Sequence, residues 1–318
     1  MRPISGRALQ GLFLTKETHI QMKIFTSFEG IRHQFRTPVL TMGNFDGVHR
    51  GHQHIFRAVQ QRAKSLQGTS CVLTFNPHPQ KVLFPEKEIF LINHMEEKID
   101  IIRAIGIDVL FCIPFTREFA SSPPHHFVKH VLVETLRVHE IYVGHDSRFG
   151  KARAGTPKQL TVWGAKYGFT VRVIPPVRYQ GEVISSTKIR QLLRAGDVTT
   201  AAKYLDRPYA VDGLVVRGTH RGTTLLGYPT ANIDVQHELI PQNGVYICQV
   251  RWNDILYPAV INIGTNPTFQ QDGRILVEVH ILDFHADLYG QRITVLFHKR
   301  LRDELKFATY QELMKQIA

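Results

Sequence analysis

With 318 residues, of which 43% are hydrophobic and 21% charged, the chain has the composition of a globular protein and a length typical of two domains. No apolar run approaches the roughly 20 residues of a membrane-spanning helix, and the three well-separated cysteines, Cys71, Cys112 and Cys248, exclude a disulfide framework and a CxxC metal site and are typical of a cytoplasmic protein. The formal net charge of +12 fits both a nucleic-acid-binding protein and an enzyme with phosphorylated ligands, so composition does not separate these two classes.

Residues 1–21 are predicted to be a disordered extension. They begin with basic residues, but their apolar piece at 11–14 is too short for the core of a signal peptide. Met22 then opens the segment MKIFTSFEGI, which resembles a natural start of the chain. The folded part is therefore expected to begin at residue 22.

Residues 22–205 alternate apolar strands with helices. The predicted strands are TPVLTMGNF, SCVLTF, DVLFCIPF, EIYVG and TVRVIPPV. In the first helix Ile55, Val59 and Ala63 share one face, and Gly68 ends the pattern. Continuous apolar strands interleaved with helices are typical of an α/β domain with a doubly wound parallel sheet. Right-handed crossovers then bring four strand-to-helix loops together at the carboxyl edge of the sheet, namely GNFDGVHRGH, NPHP, VGHDSRFG and ISST.

The pattern changes near residue 206. The segments YAVDGLVVRG, GVYICQVRW, ILYPAVINIG, RILVEVHILDF and QRITVLFHKRL follow as strands separated by turns, and Asn253 with Asp254 forms a predicted hairpin turn. A helical pattern returns only in ATYQELMKQI near the end. Residues 206–318 are therefore predicted to form a small antiparallel β-barrel with a C-terminal helix.

The turn GNFDGVHRGH, residues 43–52, places His49 and His52 three residues apart. As metal ligands they lack the i, i+4 spacing and the intervening glutamate of zinc helices. As core residues they occupy a turn with three glycines, which is poorly suited to burying two polar rings. Anion binding is favoured over both alternatives, because small residues let the backbone approach a phosphate, the helix start offers free N–H groups, and imidazoles add donors.

This turn resembles the HxGH signature of nucleotidyltransferases, and more narrowly that of bacterial FMN adenylyltransferases. The resemblance extends through PHP at 77–79, VGHD and RFGKARAG at 143–155, and ISSTKIR at 184–190. It implies a Rossmann-like sheet of the HxGH nucleotidyltransferase type that transfers AMP from ATP to FMN. The family normally has an aromatic residue directly after the aspartate of VGHD; Ser147 stands there in this chain, which leaves the local packing open.

The resemblance also implies the residues of this first site. His49, His52 and Arg190 are expected to be catalytic, because FMN phosphate is already a competent nucleophile and the site has to supply positioning and relief of charge. Alone, ISST predicts no more than a helix cap. The expected nucleotide-binding residues are Gly43, Phe45, Asp46, Gly51, Asp146, Ser185, Ser186 and Thr187. The expected flavin-binding residues are Pro77 and His78.

The second domain opens with RGTHRGTTLLGYPTANI at 217–233. Its glycines, Gly218, Gly222 and Gly227, fit either a structural hairpin or a nucleotide-binding loop. Thr230 and Asn232 lie two residues apart on an extended segment and hence on one face, where their oxygens can help to bind Mg²⁺. The segment resembles the riboflavin kinase signature, which implies that the glycines bind nucleotide and that this threonine and asparagine hold the metal.

The same resemblance implies a general base on a later strand. Glu278 alternates with apolar Val277 and Val279, so it faces away from the side on which they pack, and a solvated outward residue is the alternative without the resemblance. Riboflavin's hydroxyl, unlike FMN's phosphate, has to lose a proton as it attacks the γ-phosphate. His280 shares that face and is an alternative base. Arg302 and Glu304 in LRDELKF are expected to contact the flavin, although a charged helix start explains them as well.

Taken together, the motifs identify the chain as a member of the bacterial bifunctional riboflavin kinase/FMN adenylyltransferase (FAD synthetase) family. The expected partners are riboflavin, FMN and ATP, with Mg²⁺ as cofactor, in the cytoplasm and without nucleic acid or membrane; the oligomeric state is left open. One alternative is an adenylyltransferase for nicotinate mononucleotide or phosphopantetheine, which has no reason to carry PTAN. A basic RNA-binding protein is a second alternative, but no stripe of aromatic and basic residues is present.

Overall fold

The protein is described by a computed structural model covering residues 22–31, 34–216, 230–235, 237–265 and 275–303. These residues form an α/β unit with a parallel sheet followed by a closed antiparallel β-barrel, which confirms the predicted fold class. Within the same residues, no helix has the length and apolar character needed to cross a bilayer. The expected extension at 1–21, the C-terminal helix, and four expected site residues lie outside the described residues: Gly218, Gly222, Gly227 and Glu304.

The α/β unit is built on six parallel strands. They are β1 (Lys23–Phe25), β2 (Val39–Met42), β3 (Ser70–Phe75), β4 (Val109–Ile113), β5 (Glu140–Gly144) and β6 (Thr170–Ile174). Their order across the sheet is β1-β4-β3-β2-β5-β6. Every residue of β2 and β4 is buried, as expected for a strand covered by helices on both faces. The chain moves away from β2 in both directions, so the topological switch point lies between β2 and β5.

Helices cover both faces of this sheet. They are α1 (Arg50–Ser65), α2 (Pro79–Leu83), α3 (Met95–Ile105), α4 (Arg117–Ser121), α5 (Pro124–Phe127), α6 (Pro157–Tyr167), α7 (Ser186–Arg194) and α8 (Val198–Leu205), and α5 continues into a π-helical segment, Val128–Thr135. The predicted face of α1, Ile55, Val59 and Ala63, is buried against the sheet. A short hairpin, β7 (Arg178–Tyr179) and β8 (Glu182–Val183), precedes α7.

The barrel has six antiparallel strands. They are β9 (Tyr209–Val216), β10 (Ala231–Val235), β11 (Gly244–Trp252), β12 (Ile255–Thr265), β13 (Ile275–Ile281) and β14 (Arg292–Arg302). The closed order is β10-β13-β12-β11-β14-β9, which leaves no open edge. Asn253 and Asp254 join β11 to β12 with φ of +48° and +61°. Positive φ at both central residues matches the two-residue turn that hairpins favour, which confirms the predicted turn.

The two parts of the chain share a hydrophobic core. The end of α7 and the whole of α8 pack on the barrel, so that Leu193 and Leu205 lie in one buried cluster with Tyr246 and Phe297 of the barrel interior. Ile92, from the loop before α3, belongs to the same cluster. Residue 206, where the domain boundary is expected, lies between α8 and β9.

Strands β9 and β10 approach each other so closely at Gly213 that the backbone leaves no room for a side chain. A methyl group at this position would overlap Cγ2 of Ile233 and lie 2.9 Å from the carbonyl oxygen of Asp234. We expect Gly213→Ala to lower the free energy of unfolding by about 1–3 kcal/mol, the usual cost of overpacking, as measured by urea denaturation. The double variant with Ile233→Ala should lose less stability than the sum of the two single variants. Additive losses would contradict this steric explanation.

Candidate active sites

The predicted loops meet around one cavity of about 720 Å³ at the carboxyl edge of the sheet. This placement agrees with the expectation from the crossover rule, because the cavity borders the ends of β2, β3 and β5 and the start of α7. The expected site residues that line it are Gly43, Phe45, Asp46, His52, His78, Asp146, Ser186, Thr187 and Arg190. His49, Gly51, Pro77 and Ser185 lie in the same loops but do not line the cavity.

The glycine turn after β2 has a backbone that ordinary residues avoid. Phe45, Gly47 and Val48 have φ of +48°, +80° and +39°. Such conformations cost free energy at non-glycine residues and persist only where neighbouring contacts hold them. Here the Gly47 N–H donates to Asn93 Oδ1 (2.8 Å), and the buried Lys98 ammonium donates to the carbonyl oxygen of Asn44 (2.8 Å).

The two histidines of the turn stack on each other at the start of α1. Their ring centroids are 3.5 Å apart at an angle of 21°. His49 is the N-cap residue, and its Nδ1 accepts from the His52 N–H at 3.4 Å. Burial lowers the pKa of His49 to about 4, and burial together with the neighbouring His49 lowers the pKa of His52 well below its usual value. Both rings are therefore neutral near pH 7 and present N–H donors rather than fixed charges.

A buried ion pair ties the glycine turn to α7. The Arg190 guanidinium pairs with the Asp46 carboxylate and donates through Nε to the carbonyl oxygen of Phe90 (2.8 Å). The Ser186 hydroxyl donates to the main-chain carbonyl oxygen of Asp46 (2.9 Å). The Ile92 N–H donates to the side-chain carboxylate of Asp46 (3.0 Å). Burial raises the pKa of Asp46, and the positive charge of Arg190 opposes that shift.

Ser185 has a different position from the two residues that follow it. Its side chain caps α7 by accepting from the Lys188 N–H at 3.3 Å, which is the helix-cap role that ISST alone predicts. Ser186 and Thr187 line the cavity. The start of α7 thus supplies hydroxyl groups and backbone N–H groups to the cavity wall, an arrangement suited to an anion.

An aromatic wall completes the cavity, and sequence reasoning did not identify it. Its rings are Phe75, Phe84, Phe115, Phe119, Phe127 and Phe149. Beside it, His78 caps α2 by accepting from the Gln80 N–H at 3.3 Å, and burial lowers the pKa of His78 to about 4. The available signal was position, since Phe115 follows β4 at the same edge of the sheet as the predicted loops. A planar apolar ligand fits such a wall.

The second group of expected residues lies on the barrel. Asn232 on β10 pairs directly with Glu278 on β13, and Glu278 pairs on its other side with Asn262 on β12. Opposite residues of an antiparallel ladder point to the same face. Because Val277 and Val279 are buried, Glu278 faces outward, as its alternation with them predicts. Thr230, half-buried, immediately precedes β10.

Asn262 was not predicted as a site residue, although it lies in the predicted strand ILYPAVINIG. Arg302 lies on the same outward row, since it pairs with Val245 on β11, which in turn pairs with Asn262. The structure therefore brings Asn232, Glu278 and Asn262 together and places Arg302 two strands beyond Asn262. Among the described residues, no group of three or more His, Cys, Asp or Glu side chains is arranged to hold a metal ion.

Comparison with known proteins agrees with this division. The FAD synthetase family model matches residues 31–188, and the riboflavin kinase family model matches residues 205–318. The bifunctional riboflavin kinase/FMN adenylyltransferase of Pseudomonas fluorescens is 37% identical over 296 residues, which is 93% of this chain and 94% of that protein. The chain belongs to this bifunctional family. The family resemblance found in the sequence motifs is thereby confirmed.

Other family members match over a similar length. The Escherichia coli K12 enzyme with the same description is 37% identical over 281 residues, 88% of this chain and 89% of its own length. The Bacillus subtilis enzyme is 36% identical over 292 residues, 90% and 91% of the two chains. A crystal structure described as a macrolide-efflux protein from Streptococcus pneumoniae has a TM-score of 0.83 and 31% identity, and the match covers 93% of this chain and 96% of that one.

The low pKa of His49 makes the stability of the protein depend on pH. The unfolded chain binds a proton near pH 6.5 and the folded chain near pH 4, so His49 lowers stability progressively as the pH falls between those values. We expect His49→Asn, which keeps a capping side chain, to reduce the loss of stability between about pH 7 and about pH 5 in urea denaturation. His54→Asn, on the exposed side of α1, should leave that loss unchanged. An unchanged loss in His49→Asn would show that His49 does not stay neutral.

Proposed function

We propose that the two reactions of this bifunctional family take place in two separate sites of the chain. The barrel site phosphorylates riboflavin with ATP to give FMN and ADP, and the cavity of the α/β unit transfers AMP from a second ATP to FMN, giving FAD and diphosphate. One observation carries the proposal: the histidine turn and the Ser186–Thr187 helix start border one cavity, whereas Asn232 and Glu278 form a neighbouring pair on the other domain.

Adenylyl transfer in the cavity needs positioning and charge relief more than a base. The FMN phosphate is already an anion and attacks the α-phosphate directly, while negative charge moves onto the departing diphosphate. His52 in the cavity wall, with His49 stacked on it, stabilises the α-phosphate through N–H donors, and the negative charge of the triphosphate raises their pKa values when it binds. The N–H groups at the start of α1, including Gly51, and of α7 bind the remaining phosphate oxygens.

Arg190 serves this site in two ways. Its ion pair with Asp46 holds the glycine turn against α7, and its place in the cavity wall supplies a positive charge to the triphosphate. Gly43, Phe45 and Asp146 surround the adenosine, and Ser185 supports Thr187 and Ser186 by capping their helix. The aromatic wall, with Pro77 and His78 beside it, holds the isoalloxazine ring of FMN.

Phosphoryl transfer on the barrel needs both a metal ion and a base. The family's ATP-dependent transfers require a divalent metal, and we assign it as Mg²⁺ because the neutral oxygens of Thr230 and Asn232 suit a hard ion that retains water and shares phosphate oxygens. When bound, Mg²⁺ neutralises charge on the β- and γ-phosphates. Glu278, next to Asn232, accepts the proton of the riboflavin hydroxyl as it attacks the γ-phosphate. Arg302, on the same outward row, covers the flavin.

We infer the cellular compartment from the chemistry of the cysteines. Cys71, Cys112 and Cys248 are buried and unpaired, and burial raises the pKa of Cys248 to about 12. Buried, protonated thiols are typical of proteins in a reducing compartment. This supports assignment of the protein to the cytoplasm, where ATP is available for both reactions.

Replacement of His52 separates the two reactions. His52→Ala removes a donor from the cavity, so we expect FAD formation from FMN and ATP to fall by about 10²-fold or more, measured by chromatography of the flavins. FMN formation from riboflavin should be unchanged, because the barrel site is intact. His49→Ala should behave alike, and His54→Ala on the outer face of α1 should keep both activities. Wild-type FAD formation in His52→Ala would refute the assigned role.

Replacement of Glu278 has the opposite effect. Glu278→Gln keeps the shape of the side chain but cannot accept a proton, so FMN formation from riboflavin should fall by about 10²- to 10⁴-fold, the usual worth of a general base. FAD should still form at the normal rate from added FMN, and this second reaction serves as the control for folding. The assignment would be wrong if both reactions were lost together in a folded protein, or if the kinase rate persisted.

A further inference from the structure

The segment joining the two domains makes direct contact with the glycine turn of the adenylyl-transfer site. Arg207, just before β9, donates to the carbonyl oxygen of Gly47 at 3.0 Å and to the Glu97 carboxylate at 3.2 Å. Its side chain is 13% exposed. Arg207 belongs to the part of the chain that matches riboflavin kinase, yet these contacts reach into the other domain.

A glutamine adds a second connection between the same two segments. Gln53, on the buried face of α1, donates through Nε2 to the carbonyl oxygen of Val48 at 2.9 Å and to that of Leu205 at 2.8 Å. Arg207 also donates to the Leu205 carbonyl oxygen, at 3.2 Å. The Gly47 carbonyl is therefore held by Arg207 and the Val48 carbonyl by Gln53. Both side chains also donate to the carbonyl oxygen of Leu205.

These two carbonyls belong to the part of the turn that sets the position of the imidazoles. Gly47 and Val48 directly precede His49, and both have positive φ. Because a positive φ costs free energy at a β-branched residue such as Val48, neighbouring groups have to hold this conformation. A shift of the peptide units at 47 and 48 moves the N-cap residue of α1 and with it the stacked pair of rings.

We propose that Arg207 is a positioning residue for adenylyl transfer, which holds the histidine turn from the first residues of the kinase domain. The inference rests on the proposed role of His49 and His52 in that reaction. Arg207 acts through the Gly47 carbonyl, its positive charge contributes to the low pKa of His49, and its side chain does not line the cavity. The start of the kinase domain is thereby part of the support of the other active site.

A role limited to holding the domains together does not account for this arrangement. The domains have other contacts that remain when Arg207 is replaced. Glu238 pairs with Lys81 and accepts from the Leu91 N–H (2.9 Å), and the Thr199 hydroxyl donates to the carbonyl oxygen of His298 (3.0 Å). The shared hydrophobic core also remains. Docking therefore has several independent supports, whereas the Gly47 carbonyl accepts its side-chain hydrogen bond from Arg207.

The test uses the full chain and both of its reactions. Arg207→Gln alone would leave the Glu97 carboxylate without its partner, so the main variant is Arg207→Gln/Glu97→Gln, which removes both charges together. We expect its kcat for FAD formation to fall by about 10- to 100-fold, as for other small misplacements of catalytic groups, with little change in KM for FMN or ATP. FMN formation from riboflavin should stay at the wild-type rate. Arg207→Lys, which keeps a charged donor, should restore part of the lost kcat.

Asp206→Asn is the matched control. Asp206 lies between the two residues of the contact and has φ of +61°, which asparagine tolerates. Among the described residues, its ion pairs are long ones of 3.9 Å with Arg50 and Arg57. It should leave both reactions unchanged. The inference is overturned if the double variant keeps the wild-type kcat for FAD, if both reactions fall in parallel, or if the loss is confined to KM. Normal FAD formation in His52→Ala would instead refute the proposed function itself, whatever the result at Arg207.

Discussion

The ion pair between Asp46 and Arg190 is the constraint on which the proposed adenylyl-transfer site depends. It joins a turn of unfavourable backbone conformation to the helix that carries Ser186 and Thr187. Two loops that are 140 residues apart in the chain thereby become the two walls of one cavity. Burial of Asp46 makes the pair costly to break, since removing Arg190 leaves the carboxylate away from water without its partner. The stacked histidines keep their position because the turn beneath them cannot relax.

The barrel site is held in a different way. There the strand register places Asn232 opposite Glu278 and Glu278 opposite Asn262. A slip of one residue would turn Glu278 towards the interior and Val277 towards the solvent, so burial of the apolar residues fixes the polar row on the outside. The two sites thus rely on different physics: a strained loop held by side-chain contacts, and a regular ladder held by its own core.

The sequence predicted most of the parallel sheet, because its inner strands are unbroken apolar runs. It missed β1 and the β7–β8 hairpin, which have only two or three residues each. Residues 230–232 were predicted to be extended, but β10 was not counted among the strands because its sequence ANIDV has a weak apolar pattern. The helix α8 was hidden by its proximity to the change of pattern at residue 206. Motifs placed His52, Asp46 and Arg190 in one cavity, but they gave no sign of the Asp46–Arg190 pair or the aromatic wall, because both depend on side chains from loops distant in sequence.

The packing of α7 and α8 has a consequence for the modularity of this architecture. The first turn of α7 faces the cavity, while Leu193 and Leu205 pack with the barrel interior. Residues 186–205 therefore contact both halves: their first turn lines the cavity, and their later residues belong to the core of the barrel. A chimera that exchanges one catalytic half between relatives would therefore place residues 186–205 against a non-native neighbour on one side.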